Sequence, residues 1–278
     1  MIELNRACYV YQEGAPFEKH ALHDATLNIN KGEFIGVIGH TGSGKSTMIQ
    51  LMNALLLPTS GTVSVDGCVT TDKDTKLPDI RFKVGMVFQY PEHQIFEETV
   101  REEIAFGPKN QGLKGAQLQQ RIVKAMDAVH IPEKWLDLSP FELSGGQKRR
   151  VAIASILAME PQVLILDEPT AGLDPKSRRK LLSQVRQMRD ELGITVVLVS
   201  HSMEDIAGIA DRVVAMHKGR VMFDGSVEEV FSHIDELEKI GLSVPEVTRL
   251  TAKLGLSLCF TVEQAADEIN KELKKQNA

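Results

Sequence analysis

The segment Gly39-His40-Thr41-Gly42-Ser43-Gly44-Lys45-Ser46 combines three glycines with a terminal Lys-Ser pair. An apolar run, residues 34–38, precedes it, and a helix-compatible run that begins at Thr47 follows it. A strand, a glycine-rich loop and a helix in this order predict a phosphate loop, because backbone N–H groups and the positive end of the helix then surround phosphate oxygens. We expect Lys45 to reach the phosphates of a nucleotide and Ser46 to ligate Mg²⁺. The expected fold is α/β with a mixed, mostly parallel sheet.

A second polar group follows the apolar run Val163-Leu164-Ile165-Leu166, which suits a strand buried on both faces of a parallel sheet. Ligands of such sheets gather at the carboxyl ends of the strands, where Asp167 and Glu168 stand. We expect Asp167 to hold Mg²⁺ through a water, and Glu168 to orient and polarise the attacking water. Without a phosphate loop, this acidic pair would indicate only a strand end that meets solvent. In the turn that follows, Asp174 is placed to face a partner subunit.

Two more strand-like runs, residues 84–88 and 194–199, end at polar side chains. His201 follows the later run, so we expect it at the same carboxyl edge, with a hydrogen bond to the γ-phosphate. Gln89 follows the earlier run, and its neutral amide suits a contact to Mg²⁺ or to the attacking water. We expect the amide to swing away when phosphate leaves. Taken alone, the histidine would be structural and the glutamine an ordinary solvated residue. Their place beside a phosphate loop favours a catalytic role.

The stretch Leu143-Ser144-Gly145-Gly146-Gln147 is a second surface suited to phosphate. Ser144 offers a hydroxyl, and the two glycines allow backbone N–H groups to approach a ligand closely. The residues that follow are helix formers, and the N-terminus of a helix favours an anion. A chain that carried one complete site would not need this second surface. The stretch therefore indicates an active site that is divided between two subunits.

The motifs together resemble those of the nucleotide-binding subunits of ABC transporters, over roughly residues 1 to 225. Residues 39–46, Gln89, 143–147, 163–168, 171–174 and His201 match the phosphate loop, Q-loop, signature, Walker B, D-loop and H-loop in order. The resemblance implies that ATP and Mg²⁺ are bound by a head-to-tail dimer. ATP on one phosphate loop would be covered by the signature of the other subunit.

The resemblance also implies an aromatic contact to adenine, ahead of the first core strand. Tyr11 matches best by its position. Residues 12–19 read as an insertion, and Phe17 within it is a competing candidate. Either side chain is otherwise a packing residue.

A narrower resemblance is to the ATPases of energy-coupling factor transporters, and most of all to the second of their two ATPase types. It rests on Pro16-Phe17-Glu18, on His40, and on Phe88-Gln89-Tyr90-Pro91-Glu92 followed by Gln94 and Phe96. It implies a paralogous ATPase partner in preference to a homodimer, a transmembrane coupling subunit, and a membrane-embedded subunit that binds a vitamin or another micronutrient. The chain would then be peripheral, at the cytoplasmic face of the cell membrane.

Three alternatives stay open. One is the ATPase of an importer that is served by an extracytoplasmic binding protein. Another is a soluble ABC ATPase of DNA repair, which would need long coiled-coil heptads between the nucleotide motifs. The third is a translation-associated ABC factor, which usually carries two cassettes, whereas this chain has one phosphate loop.

The composition limits the classes of function. The chain has 278 residues and a net charge of −6, which argues against nucleic acid as a partner. Its three cysteines, Cys8, Cys68 and Cys259, lack the paired spacing of a metal site and are expected to be reduced thiols. The first residues lack the charged region and the long apolar stretch of a signal peptide, so none is expected, and no apolar run approaches the roughly 20 residues that cross a bilayer.

The expected organisation has two parts. Residues 1–225 form the nucleotide-binding domain, with an N-terminal antiparallel β layer, a hairpin at 65–69, and a helical subdomain at about 99–159 that carries the signature. Residues 226–278 form a helical extension, in which Ser226, Ser243 and Thr261 each have capping-box spacing. Three short amphipathic helices are expected there, packed on the core or on a second subunit.

The surface beside Gln89 is expected to be acidic. Residues 89–107 carry five glutamates and a single arginine, Arg101. We expect this acidic surface to form a groove that receives an arginine-bearing helix of the transmembrane partner. The alternative is a solvated helix face. The glutamates are Glu92, Glu97, Glu98, Glu102 and Glu103.

Overall fold

The larger sheet carries the phosphate loop. The computed structural model describes residues 1–276, and in that part of the chain six strands form this sheet. Neighbouring strands pair in parallel, except that β10 is antiparallel to β9. The mixed, mostly parallel sheet expected from the sequence is confirmed. In spatial order the strands are β10 (Arg220–Ser226), β9 (Arg212–His217), β3 (Phe34–Gly39), β8 (Thr195–Val199), β7 (Val163–Asp167) and β6 (Val84–Val87).

The smaller sheet is the expected antiparallel layer. Asp66 and Gly67, with φ of 49° and 77°, turn the chain between its last two strands. Positive φ at both central positions is what a two-residue type I′ hairpin requires, and the predicted hairpin is confirmed. In spatial order the strands are β2 (Lys19–Ile29), β1 (Ile2–Tyr11), β4 (Ser60–Val65) and β5 (Cys68–Val69).

Strand β7 shows why the core strands read as unbroken apolar runs. Its residues alternate between two apolar clusters, with Leu164 and Leu166 in one and Val163 and Ile165 in the other. The second cluster also holds apolar residues of β1 and of α1 (Lys45–Met52). The sheet is therefore covered on both faces, and the carboxyl ends of its strands are left to form a site.

The signature lies in a helical segment between β6 and β7. Its helices are α3 (Val100–Asn110), α4 (Gly115–Ala128) and α5 (Gly145–Leu157). Thr99 caps α3, because its side chain accepts a hydrogen bond from the backbone N–H of Glu102. Three more helices flank the sheet, namely α2 (Leu77–Lys83), α6 (Pro175–Leu192) and α7 (Met203–Ile209).

The C-terminal residues form four helices in the described part of the chain, where three were expected. Ser226 and Thr261 accept the predicted capping hydrogen bonds, from Glu229 and Gln264. The prediction for Ser243 is wrong, because Pro245 occupies the capping position of the third helix and no side chain caps it. The helices are α8 (Val227–Ser232), α9 (Ile234–Lys239), α10 (Glu246–Lys253) and α11 (Val262–Gln276).

The C-terminal helices pack against the main apolar core. Phe231 and Leu237 are fully buried there, and Phe260 joins the same cluster. Leu254 and Val262 are exposed on the outer side. Packing on the core, one of the two expected arrangements, is thus observed. Among residues 1–276, no helix is both long and apolar enough to cross a membrane.

Candidate nucleotide-binding site

The phosphate loop ends at Gly44, a position whose backbone conformation and close neighbours only glycine tolerates. β3 ends at Gly39, and α1 begins at Lys45. Gly44 has a φ of 102°, and a Cβ atom there would lie 2.7 Å from the carbonyl oxygen of Ala21. A side chain would therefore be both strained and too close to the backbone of β2.

Lys45 is held inside the loop. Its Nζ donates to the carbonyl oxygens of Gly39 at 2.7 Å and His40 at 3.1 Å, and the residue is buried. Desolvation lowers the pKa of Lys45, while the negative charges of Glu168 and Asp167 oppose that shift. The buried Ser43 hydroxyl has no hydrogen-bond partner among the described residues. Loop donors that are buried and incompletely bonded are suited to anionic oxygens.

Asp167 lies at the carboxyl end of β7, beside the start of α1. Desolvation raises its pKa, the charge of Glu168 raises it further, and a hydrogen bond from the Ser46 side chain lowers it. Two adjacent carboxylates and a hydroxyl near a lysine form a set of oxygen donors whose charge a cation would stabilise. The structure thus brings Asp167 and Ser46 together, as the sequence predicted.

Glu168 is held by the two polar residues that were predicted to join it. Nε2 of Gln89 donates to Oε2 at 3.0 Å, and Nε2 of His201 lies 2.6 Å from Oε1. Glu168 also has a φ of 48°, a left-handed conformation that costs a residue with a side chain about 1–3 kcal/mol. The surroundings therefore fix this carboxylate in place. The expected bond from His201 to a γ-phosphate stays a prediction.

The signature surface faces outward. Ser144 and Gln147 form a capping box, because the serine Oγ accepts from the Gln147 backbone and the Gln147 side chain accepts from the Ser144 backbone at 2.7 Å. Ser144, Gly145 and Gly146 are exposed, whereas Leu143 is buried beneath them. The first turn of α5 therefore presents its backbone N–H groups to the solvent side.

Asp174 is close to the signature but has a structural task. Its carboxylate accepts from the backbone N–H groups of Lys176 at 3.0 Å and Ser177 at 3.1 Å, which caps α6. Hydrogen bonds from Ser177 lower its pKa. Asp174 lines the same groove as Ser144 and Gly146. Its contact with a partner subunit stays a prediction.

The two candidates for the adenine contact differ in position. The hydroxyl oxygen of Tyr11 lies 3.2 Å from Oγ1 of Thr47, on the first turn of α1. Phe17 is 84% exposed in the connection between β1 and β2. Tyr11 is the candidate that contacts the phosphate-loop helix, and its stacking on adenine stays a prediction.

Comparison with known proteins agrees with this geometry. A sequence model of the ABC transporter family matches residues 22–171. The energy-coupling factor transporter ATP-binding protein EcfA2 of Clostridium perfringens is 51% identical over 283 residues, covering 99% of each chain. The chain belongs to the ABC transporter ATPases, in their energy-coupling factor branch. The EcfA2 protein of Symbiobacterium thermophilum is 55% identical over 246 residues, which cover 88% of this ABC ATPase and 85% of that protein.

Solved structures share the fold. The structure of cbiO1 from Clostridium perfringens, described as part of the ABC transporter complex cbiONQ, has a TM-score of 0.76 and 35% identity, over 91% of this chain and 98% of that one. A dimeric ATP-binding cassette bound to ADP and Pi has a TM-score of 0.72 and 32% identity, over 82% and 99% of the two chains. The expected ABC ATPase fold is confirmed, and the chain is an ATP-hydrolysing transport subunit.

One residue of this ABC ATPase was missed by the sequence reasoning. Arg149 was interpreted only as part of the start of the signature helix, yet it is buried and donates to the carbonyl oxygens of Pro169 and Ala171. It also pairs with Glu92 at 3.5 Å. A signal was present, because a helix start should favour acidic side chains, and Lys148-Arg149-Arg150 places three cations there.

A pair of histidines connects the phosphate loop of the ABC ATPase to its C-terminal helices. Nδ1 of His40 lies 2.8 Å from the Thr41 carbonyl oxygen, and its Nε2 lies 3.0 Å from Nδ1 of His217. Desolvation and the positive charges of His40 and Lys218 lower the pKa of His217, against a hydrogen bond to the Ile240 backbone. The two rings make a row of three contacts: Thr41 carbonyl to His40, His40 to His217, and His217 to the Ile240 backbone. Carbonyl oxygens only accept, so the three contacts need three N–H protons, whereas two neutral imidazoles carry two. One added proton satisfies every contact and places a positive charge in the loop.

We therefore expect nucleotide affinity to depend on pH through this pair. Because the pKa of His217 is lowered, the added proton is lost as the pH rises toward the ordinary histidine value of about 6.5, and ATP affinity falls by roughly three- to tenfold over that range. Calorimetric titration of the chain and of the variant His40→Gln at several pH values measures this dependence. The titration of ATP itself is common to both proteins. Equal pH slopes in the two would contradict the assignment.

Proposed function

We propose that this ABC ATPase powers an energy-coupling factor importer as one of two non-identical ATPase subunits. They would bind a transmembrane coupling subunit, at the cytoplasmic face of the membrane, together with a membrane-embedded subunit that binds a micronutrient. The observation that supports this most is the separation of two phosphate surfaces. Lys45 is buried in one, while Gly145 and Gly146 are exposed in the other. The exposed signature can bind phosphate only when a second subunit presents its ATP to it.

The donor set fits Mg²⁺. Ser46 and Asp167 are hydrogen-bonded neighbours, and Gln89 donates a hydrogen bond to Glu168, the residue after Asp167. Mg²⁺ is usually held by one or two carboxylates together with the phosphates of its nucleotide, so these residues would hold it, with Asp167 acting through a water. When bound, the ion neutralises charge on the β- and γ-phosphates.

The residues divide the work of hydrolysis among them. Lys45 would turn from its loop carbonyls to the phosphates, while Glu168 orients and polarises the attacking water. Gln89 and His201, which hold the Glu168 carboxylate here, restrict it to one geometry, and such positioning is a major part of catalysis. The partner's signature N–H groups would stabilise the γ-phosphate. Closure on two ATP molecules and reopening after hydrolysis would then drive the membrane subunit.

An aromatic patch beside Gln89 supports a membrane partner. Phe96 and Phe106 contact each other edge to face, with ring centroids 4.8 Å apart, and both are exposed. Tyr90, next to Gln89, is exposed as well. Adjacent exposed aromatic side chains at a catalytic loop mark an interaction surface.

The acidic surface expected here needs correction. Glu103 is buried and accepts from the backbone N–H groups of Phe96 and Glu97, and desolvation raises its pKa. Glu102 accepts from the Thr99 hydroxyl, and Glu92 pairs with Arg149. These three carboxylates stabilise the loop itself, because its turns leave backbone and side-chain donors that need acceptors. Glu97 and Glu98 remain available to an arginine-bearing helix.

Purification of the native complex tests the proposal. We expect a paralogous ATPase and two membrane subunits to co-purify and to be identified by mass. The double variant Glu97→Lys and Glu98→Lys should lower recovery of the membrane subunits by about tenfold, because buried interface charges that are reversed repel the partner. The matched control reverses two exposed carboxylates elsewhere, Asp72→Lys and Asp74→Lys, and should assemble normally. Recovery of this chain without membrane subunits would refute the proposal.

A further inference from the structure

Arg149 joins three segments that act on ATP in different ways. Its Nη1 donates to the carbonyl oxygen of Pro169 at 2.6 Å, and its Nη2 donates to that of Ala171 at 3.3 Å. These carbonyls belong to the turn that directly follows Glu168. Nη2 also lies 3.5 Å from both carboxylate oxygens of Glu92, in the turn after Gln89. Arg149 itself lies on the first turns of the signature helix α5.

The hydrogen bonds of Arg149 are incomplete, which leaves room for the Glu92 turn to move. Arg149 is only 5% exposed, yet its Nε has no hydrogen-bond partner among the described residues. A buried donor left without a partner costs about 1–3 kcal/mol. The 3.5 Å contacts to Glu92 are at the outer limit of a hydrogen bond. A small shift of the Glu92 turn toward α5 would let Nε and Nη2 bind the carboxylate as a fork.

The proximity of these segments has a functional meaning. Glu168 serves the ATP that this chain binds, whereas the signature serves the ATP that it covers. Gln89 donates to the catalytic carboxylate and directly precedes Tyr90 of the aromatic patch in the chain. A rigid guanidinium with several donors can hold all three segments in one register, which an apolar side chain of equal volume cannot do.

We propose that Arg149 is a positioning residue that couples the turn after Gln89 to Glu168 and to the signature of the same chain. This inference rests on the proposed function, because it assumes a head-to-tail dimer. A displacement of the Glu92 turn then changes the hydrogen bonds that Arg149 donates to the carbonyls of Pro169 and Ala171. Docking at the membrane thereby changes the position of Glu168 in one ATP site and of the signature in the other.

Variant Glu92→Gln tests the coupling with little risk to the fold, since it keeps the shape of a half-buried side chain and removes its charge. Steady-state ATP hydrolysis by the full chain in its purified native assembly gives kcat and KM. We expect kcat to fall about tenfold to a hundredfold, as small misplacements of catalytic groups do, with KM and Tm nearly unchanged. The same substitution added to Arg149→Lys should have little further effect, because the coupled arm is already lost.

The matched control is Asp137→Asn, which removes a carboxylate that pairs with Arg101 at 3.2 Å on the surface of the same helical segment. Its kcat should equal that of the unmodified chain. A normal kcat for Glu92→Gln, or effects of Glu92→Gln and Arg149→Lys that simply add, would overturn the inference. Glu168→Gln is measured beside it. If that variant also hydrolyses ATP normally, the proposed function has failed and not only the role of Arg149.

Discussion

Substitution Glu168→Gln is expected to abolish most ATP turnover, with a loss of about a hundredfold to ten-thousandfold in kcat. The amide keeps the shape of the carboxylate, although only one of its two terminal atoms still accepts a hydrogen bond, and it cannot polarise the attacking water as a base. ATP binding should persist, because Lys45 and the phosphate loop are unchanged. Steady-state hydrolysis and calorimetric titration with ATP measure the two effects separately.

The same variant should reveal the closed dimer. When hydrolysis is blocked, the ATP that links two subunits is retained, so size-exclusion chromatography with ATP and Mg²⁺ should show an ATP-dependent dimer. The unmodified chain under the same conditions is the control, since turnover reopens its dimer. Turnover of Glu168→Gln at the normal rate would remove Glu168 from its assigned role.

Substitution Lys45→Ala is expected to weaken ATP binding by roughly tenfold to a hundredfold. The buried ammonium supplies charge-assisted hydrogen bonds to phosphates, and alanine supplies none. Calorimetric titration with ATP gives the change in Kd.

The matched control for that experiment is Lys218→Ala. Lys218 is exposed on the turn after β9, and it contributes positive charge near His217 without contacting the loop carbonyls that Lys45 holds. Its loss should change ATP affinity by less than about threefold. Equal losses for the two variants would mean that net charge, and not the placement of Lys45, determines affinity.

Several features of the fold could be predicted from local patterns alone. The apolar run in β7 has no polar interruption, which indicated a strand covered on both faces, and the structure places its residues in two clusters. Asp66-Gly67 predicted a hairpin because both positions tolerate positive φ. The residues around Glu168 could be predicted because the carboxyl ends of parallel strands meet at one edge.

Contacts between distant segments could not be predicted in the same way. Arg149 and Glu92 are separated by 57 positions, and nothing in either local pattern indicates the other. The row from His40 to His217 spans 177 positions. The acidic surface was overestimated for the same reason, since charge counting does not show which carboxylates accept hydrogen bonds from the backbone.

The signature of this chain is expected to complete a site on another subunit, and ATP turnover by the variant Gly146→Asp separates this claim from a site that is complete within one chain. A Cβ atom at Gly146 would meet nothing within 4 Å inside the chain, and an acidic side chain suits a helix N-terminus, so the fold should be unharmed. We expect normal ATP binding, an unchanged or higher Tm and loss of most hydrolysis. The matched control Gly208→Asp, at an exposed helix position with equal room, should stay active. Full hydrolysis by Gly146→Asp would contradict the claim.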